Sequence, residues 1–313
     1  MMIYLAPIQG FTDFVYRKAF AETFPGVDAF FIPYISLKNE TILPKHFAEI
    51  LPENNGQNRV VPQVLANSAG ELVTLVKILK DFGYSEINLN MGCPYPMVTN
   101  RGKGAGLLPF PGKIESLLSG FFEKADLKLS VKLRAGLVSP KETEQIIPVL
   151  NQFPLTEIIV HPRIAKQLYS GETNNHLFQL VSQNCKHPVV YNGDIFSVAA
   201  FSEKRGLFPE TTTWMLGRGV LMNPFLPAEI KGILFSEEEK RTKLEAFHQR
   251  IFELYSENTD NPGNTLNKMK QFWSYFSYVF PDQPKSLKLI KKTRNTTSFT
   301  GDVRGIFRNM TIG

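Results

Sequence analysis

The sequence predicts an α/β protein: a (β/α)8 TIM barrel followed by a small C-terminal helical domain. Two observations carry this expectation. Short apolar, β-branched runs alternate eight times with longer, largely amphipathic stretches over the first three quarters of the chain. Past about residue 235 the strand pattern stops and only helical periodicity continues.

The expected strands are Ile3–Ala6, Ala29–Pro33, Val60–Leu65, Glu86–Asn90, Leu129–Leu133, Glu157–His161, Pro188–Asn192 and Thr213–Gly217. Ile158-Ile159-Val160 and Val189-Val190 have the continuous apolar character of buried parallel strands. Between strands, Ala69–Phe82 places Leu72, Leu75, Val76 and Leu79 on one helical face, and Ile114–Lys124 and Lys141–Phe153 are patterned similarly. Ser139-Pro140 marks a helix start, with Ser as cap and Pro at the first position. An open doubly wound sheet is the competing architecture; the eightfold count favours closure. Near the C-terminus, Glu237–Asn258, Lys268–Phe280 and Ser286–Thr293 are expected helices, which divides the chain into a barrel, 1–237, and a helical domain, 238–313.

The composition, 43% hydrophobic and 20% charged over 313 residues, excludes a disordered class and allows a sizeable core. No run approaches the roughly 18 apolar residues of a membrane helix. The opening Met-Met-Ile-Tyr-Leu-Ala-Pro-Ile has no basic leader, and Cys93 and Cys185 sit in unrelated contexts, so a cytoplasmic protein without disulfides is expected. The net charge of +6 is unevenly spread: residues 240–313 hold 13 Lys/Arg against 6 Asp/Glu, and the rest is nearly balanced. Such asymmetry fits either a basic surface for an anionic partner or a well-solvated helical face.

In a barrel of this type the active site lies at the C-terminal strand ends. Gln63, Asn90, Lys132, His161, Asn192-Gly193-Asp194 and Gly217-Arg218-Gly219 put polar groups at six successive strand ends, where Val, Ile and Leu are usual. Gly-Arg-Gly after the last strand fits a phosphate site or an ordinary turn. Lys132 could meet negative charge on a reduced flavin, form a Schiff base, or reach solvent. His161 is a candidate hydrogen-bond donor to a ring carbonyl. The other histidines, His46, His176, His187 and His248, show no metal-ligand spacing, so no metal is expected. In Gly92-Cys93-Pro94 the flanking residues would hold a thiol on a tight turn above the barrel mouth. Arg101-Gly102-Lys103-Gly104-Ala105-Gly106 lacks a phosphate-loop signature and is expected to be a mobile loop able to close over a substrate.

In order and spacing these residues resemble the tRNA-dihydrouridine synthases over nearly the whole chain. The resemblance rests on Ala6-Pro7-Ile8-Gln9-Gly10-Phe11-Thr12-Asp13 with Arg17, Asn90-Met91-Gly92-Cys93-Pro94 with Gly104-Ala105-Gly106, Lys132-Leu133-Arg134, His161-Pro162-Arg163, Asn192-Gly193-Asp194 and Gly217-Arg218-Gly219. It implies an FMN site formed by Pro7, Ile8, Gln9, Gln63, Asn90, Lys132, His161, Asn192, Gly193, Asp194, Gly217 and Arg218. It further implies flavin reduction by NADPH, hydride delivery from FMN N5 to uracil C6 in tRNA, and proton donation to C5 by Cys93. The basic helical domain would then grip tRNA through Lys268, Lys270, Lys285, Lys288, Lys291, Lys292 and Arg294, with Phe272, Trp273 and Tyr275 as its core. A monomer is expected. The sequence departs from the family pattern at Ile8, at Pro162 and over Glu172-Thr173-Asn174-Asn175, the last bearing on which uridine is reduced. The main alternative is an FMN-barrel reductase of a small-molecule pyrimidine or enone, for which a basic helical domain has no evident use. A non-catalytic tRNA-binding barrel and a lyase using Lys132 are the others.

Overall fold

In the computed structural model, which describes residues 1–56 and 58–309, eight parallel strands close into a barrel. They are β1 (Met2–Leu5), β2 (Ala29–Ile35), β3 (Val60–Val64), β4 (Glu86–Met91), β5 (Lys128–Arg134), β6 (Ile158–His161), β7 (Val189–Asn192) and β8 (Thr213–Leu216). Each expected strand is present within one or two residues of its predicted limits. Because β1 pairs with both β2 and β8, the sheet has no free edge and the doubly wound alternative is ruled out.

Alternation along the strands sorts the interior into layers. Tyr4, Phe31, Val61, Ile159, Val190 and Met215 belong to one buried apolar cluster that fills the barrel. Two residues further along β3, β6 and β7 come Gln63, His161 and Asn192, and β4 and β5 contribute Asn90 and Lys132 to the same polar end. The register sets Asn90 beside Lys132 and Arg134 beside His161.

Local capping explains most of the helices. α1 (Phe14–Thr23), α2 (Ala69–Asp81), α5 (Asn175–Asn184) and α6 (Val198–Leu207) start from Asp13, Ser68, Asn174 and Ser197, whose side chains accept hydrogen bonds from first-turn backbone N–H groups. α3 (Pro111–Lys124) begins on a proline. α4 (Lys141–Leu150) starts one residue later than Ser139-Pro140 suggested, with Pro140 in the cap position.

The C-terminal region departs further from expectation. α7 (Glu237–Glu257) has a capping box between Ser236 and Glu239, close to the expected start. α8 runs from Pro262 to Phe276, not from Lys268, because Asn261 caps it through Gly263 N–H at 2.9 Å. α9 (Gln283–Lys292) is followed by an unforeseen α10 (Thr296–Asn309). Residues 310–313 of the predicted 238–313 domain lie outside the described residues.

This region shares one hydrophobic core with the barrel. Phe247 of α7 meets Tyr16 of α1 and Phe24 just after that helix edge-on at centroid distances of 5.6 and 5.0 Å, and Phe272 of α8 joins the same cluster. Tyr255 donates to the carboxylate of Asp13 at 2.9 Å, and Lys268 pairs with it at 3.1 Å. Thus the residue that caps α1 also ties down the helical region. Among the described residues no helix is long and apolar enough to cross a membrane.

Glu157, at the N-terminal end of the barrel, is buried; its Oε2 accepts from Tyr4 at 3.1 Å and its Oε1 has no partner among the described residues. Burial pushes its carboxyl up to about 7. A carboxyl raised by folding contributes stability that is complete below the ordinary glutamate value and lost as pH rises through about 7. We therefore expect Glu157→Gln to remove a decline in stability of roughly 3 kcal/mol between about pH 4.5 and 7. Denaturant unfolding of both proteins across that range checks this, and parallel pH profiles would show Glu157 ionised throughout.

Candidate functional site

The polar end of the barrel opens into a cleft lined by every strand-end residue singled out above: Gln63, Asn90, Lys132, His161, Asn192, Gly193, Asp194, Gly217 and Arg218, with Pro7, Ile8 and Gln9 from the loop after β1 and Cys93 from the loop after β4. Side chains distant in sequence meet because parallel strands all end on one side of a closed barrel.

Asn90 shapes the Cys93 turn. Its Oδ1 accepts from the backbone N–H groups of Gly92 at 3.0 Å and Cys93 at 2.8 Å, while its Nδ2 donates to Gln63 Oε1 at 2.6 Å. Gln63 in turn donates to Asn88 at 2.8 Å, and Asn192 donates to the Met215 carbonyl at 2.8 Å. These three carboxamides therefore brace the cleft from within the barrel as well as facing it. The glycine-rich run differs from the mobile loop the sequence suggested. Gly104–Leu107 is a buried single turn whose Ala105 N–H donates to the Cys93 carbonyl at 3.1 Å. Gly104 has φ +57°, and a Cβ there would lie 2.8 Å from the Cys93 carbonyl oxygen. The run is a seat beneath the thiol.

Cys93 is buried against Leu65 and Val98, with Tyr34 packed on them. Burial pushes its thiol up; a hydrogen bond from the Tyr95 backbone, the nearby Arg134, the Tyr34 hydroxyl and Lys132 oppose this without overcoming it. The group is thus a thiol, not a thiolate, at neutral pH. Lys132 is pushed down to about 7, chiefly by desolvation and also by Arg134. Among the described residues no carboxylate or other acceptor engages its ammonium group. His161 is held neutral by burial and by Arg134, Lys132, Arg163 and Arg218 around it. A partly desolvated cleft with converging cations, one of them free of a partner, is arranged for an anionic ligand.

Arg218 is not free. Its guanidinium pairs with Asp194 at 2.9 Å and lies 4.2 Å from the Tyr169 ring centroid and 5.1 Å from that of Phe196. Asp194, placed by sequence among ligand-facing groups, spends its carboxylate on Arg218 and Arg163.

Sequence reading left several lining residues out of the site. Phe11, Tyr34, Tyr95, Arg134, Tyr169, Phe196 and Tyr275 also face the cleft. Tyr275 was assigned to the helical domain's core; it lies half-buried at the mouth, edge-on to Phe11 at 4.9 Å, so the helical region completes the cleft wall. Phe272 and Trp273 are buried as expected. Arg134 sat inside the quoted Lys-Leu-Arg motif and, two residues after inward-facing Lys132, was the most visible of those missed. Among the described residues no group of three or more His, Cys, Asp or Glu side chains is placed to hold a metal ion.

The model of the dihydrouridine synthase family matches residues 4–297. The chain belongs to the dihydrouridine synthase family. It is 26% identical over 232 residues to a probable tRNA-dihydrouridine synthase of Helicobacter pylori, covering 73% of this chain and 70% of that one. To the tRNA-dihydrouridine(16) synthase of Shigella flexneri it is 28% identical over 247 residues, covering 74% and 76%. Among solved structures, morphinone reductase aligns with a TM-score of 0.53 at 10% identity, covering 74% of this chain and 87% of that one. Histamine dehydrogenase of Rhizobium sp. 4-9 aligns at 0.57 and 12%, covering 79% and 48%. At such identities the structural likeness of this family member to either enzyme is one of fold.

The buried thiol should show in its chemistry. We expect the pH midpoint for alkylation of Cys93 by iodoacetamide to lie above that of an exposed thiol, and Tyr34→Phe to raise it further by removing a donor to the thiolate. A midpoint at or below that of free cysteine would contradict the effect of burial, and one below neutrality would mean a resident thiolate.

Proposed function

We propose that this chain is a tRNA-dihydrouridine synthase in which Cys93 donates the proton that completes reduction of a uracil ring. The observation that carries this is the placement of Cys93, protonated and partly desolvated, in the same cleft as an unpaired Lys132, within a chain of the dihydrouridine synthase family.

The cleft fits a flavin. Lys132 supplies an unpartnered cation of the kind that reduced flavin requires, Arg218 a cation for a phosphate group, and Gly193 and Gly217 a backbone without side chains. A Cβ on Gly193 would meet Thr173 Cγ2 at 3.0 Å and His161 Cδ2 at 3.2 Å, and one on Gly217 would meet Ile8 Cδ1 at 3.3 Å. Pro7, Ile8, Gln9, Gln63, Asn90, Lys132, His161, Asn192, Gly193, Gly217 and Arg218 are the residues we assign to holding FMN, with Asp194 acting through Arg218. FMN held there would supply the hydride taken up at uracil C6, with NADPH as its reductant.

The protein's own part is the proton. Hydride addition builds negative charge towards C5 and O4, and the Cys93 S–H bond breaks as the new C5–H bond forms. The resulting thiolate faces the Tyr95 backbone N–H, the Tyr34 hydroxyl, Arg134 and Lys132, the groups that lower the thiol pKa, and regains its proton from solvent. Lys132, pushed down to about 7 when unpaired, gains full charge beside an anion. The target base has to leave its stack to enter the cleft. Phe11, Tyr95, Tyr169 and Tyr275 offer aromatic surface at its walls.

Residues 1–237 are then the catalytic barrel and 238–313 the tRNA-facing region. Lys285, Lys288, Lys291, Lys292 and Arg294 are exposed on α9 and just beyond it and are the phosphate contacts we favour. Lys270 donates to the Thr293 carbonyl at 2.6 Å and Lys268 pairs with Asp13, so these two serve the fold as well.

Two outcomes follow. Cys93→Ala should retain flavin and its reduction by NADPH while lowering dihydrouridine formation by roughly 10²- to 10⁴-fold, measured on unmodified tRNA; loss of flavin instead would make the cysteine structural. Replacing Lys288, Lys291 and Lys292 together by Glu should weaken tRNA binding by about tenfold or more and flatten its salt dependence. An unchanged salt slope would put the RNA surface elsewhere.

A further inference from the structure

Arg163 does not line the cleft, yet it is the most buried charge near it. It follows β6, and its Nη1 donates to Asp194 Oδ1 at 2.8 Å while Nη2 contacts Asp194 Oδ2 and the Gly171 carbonyl. Its Nε has no partner among the described residues. Arg218 Nη2 donates to the same Oδ1 at 2.9 Å. One carboxylate therefore bridges two guanidinium groups, one buried and one facing the cleft. Asp194 is held in this position at φ +45°, in the left-handed region that few non-glycine residues occupy.

The charge balance gives this bridge a direction. Asp194 and Arg218 alone would cancel, and an arginine neutralised by its own carboxylate attracts an anion weakly. Arg163 brings the trio to a net charge of +1. Orientation is settled by the same contacts. The forked Arg163–Asp194 pair fixes the carboxylate, the carboxylate fixes one edge of the Arg218 guanidinium, and the Tyr169 and Phe196 rings restrict its remaining freedom. With Arg163 buried and Asp194 only partly so, the pair is a poorer source of stability than of geometry.

We propose that Arg163 is a positioning residue for phosphate recognition: acting through Asp194, it orients the Arg218 guanidinium and keeps the bridged trio cationic. The proposal rests on the flavin reading above and on Arg218 as the group that meets the phosphate.

FMN and riboflavin share the ring and ribityl chain and differ in the phosphate, so their relative affinities isolate this role. Full-length protein freed of flavin is titrated with each, following quenching of flavin fluorescence, for the wild type, Arg218→Ala, Arg163→Gln and Arg163→Lys. We expect wild type to prefer FMN, and Arg163→Gln to lose about tenfold or more of that preference with riboflavin affinity little changed. Combined with Arg218→Ala it should cost nothing further. Arg163→Lys, which keeps the charge without the fork, should fall between wild type and Arg163→Gln. Equal losses for FMN and riboflavin in Arg163→Gln would make Arg163 merely structural, and a wild-type preference in Arg163→Lys would overturn the positioning role even if Arg163→Gln does not fold. A wild type that binds neither flavin sinks the flavin reading itself, and this proposal with it. Loss of FMN preference in Arg218→Ala but not in Arg163→Gln overturns the proposal alone.

Discussion

Closure of the sheet between β1 and β8 is the constraint on which the site depends. Once the eight strands form a ring, alternate side chains must point inward, and the interior has room only for stacked layers. Tyr4, Phe31, Val61, Ile159, Val190 and Met215 fill it with apolar volume. Residues two positions later are forced to its open end, and on β3, β6 and β7 they are Gln63, His161 and Asn192. The site therefore needs no special folding device. It is the last turn of an alternation that the core already fixes, with Asn90 extending it into the loop that carries Cys93.

The same burial sets the chemistry. Desolvation is the largest cause of the shift at Cys93, Lys132 and His161, and it favours the uncharged form of each. For Cys93 this preserves the proton. For His161 it gives a neutral imidazole among cations, and for Lys132 a cation that an incoming anion would restore. The aromatic contacts around Arg218 and its tie to Asp194 show the opposite strategy, in which a charge is kept by being fixed in place. The helical region belongs to this account as well. It shares the barrel's core through Phe247 and Phe272 and supplies Tyr275 to the cleft wall, so the two parts of the chain meet at the mouth.

The strands and the strand-end residues were legible because each rests on short-range pattern: a β-branched run, then a polar residue at a countable position. The course of the chain between them was less legible. Whether Arg101–Gly106 is a lid or a seat depends on the Cys93 carbonyl it meets, which sequence does not reveal. α8 begins at Asn261-Pro262, a cap that stood outside any apolar period. Tyr275 had the spacing of a core residue and lies at the mouth because α8 ends beside Phe11. The roles of Arg163 and Asp194 are set by a contact across 31 residues, and the motifs His-Pro-Arg and Asn-Gly-Asp gave no hint that they would pair. Partners distant in sequence are what local patterns leave out.

The central claim is that a flavin in this cleft reduces uridine in tRNA. It is tested most directly in a single turnover. The flavin-loaded protein is reduced without oxygen, freed of excess reductant and mixed with unmodified tRNA, while flavin absorbance and dihydrouridine content are followed together. The account predicts one dihydrouridine formed for each flavin reoxidised. Flavin that stays reduced with tRNA but is reoxidised by a small enone would contradict it.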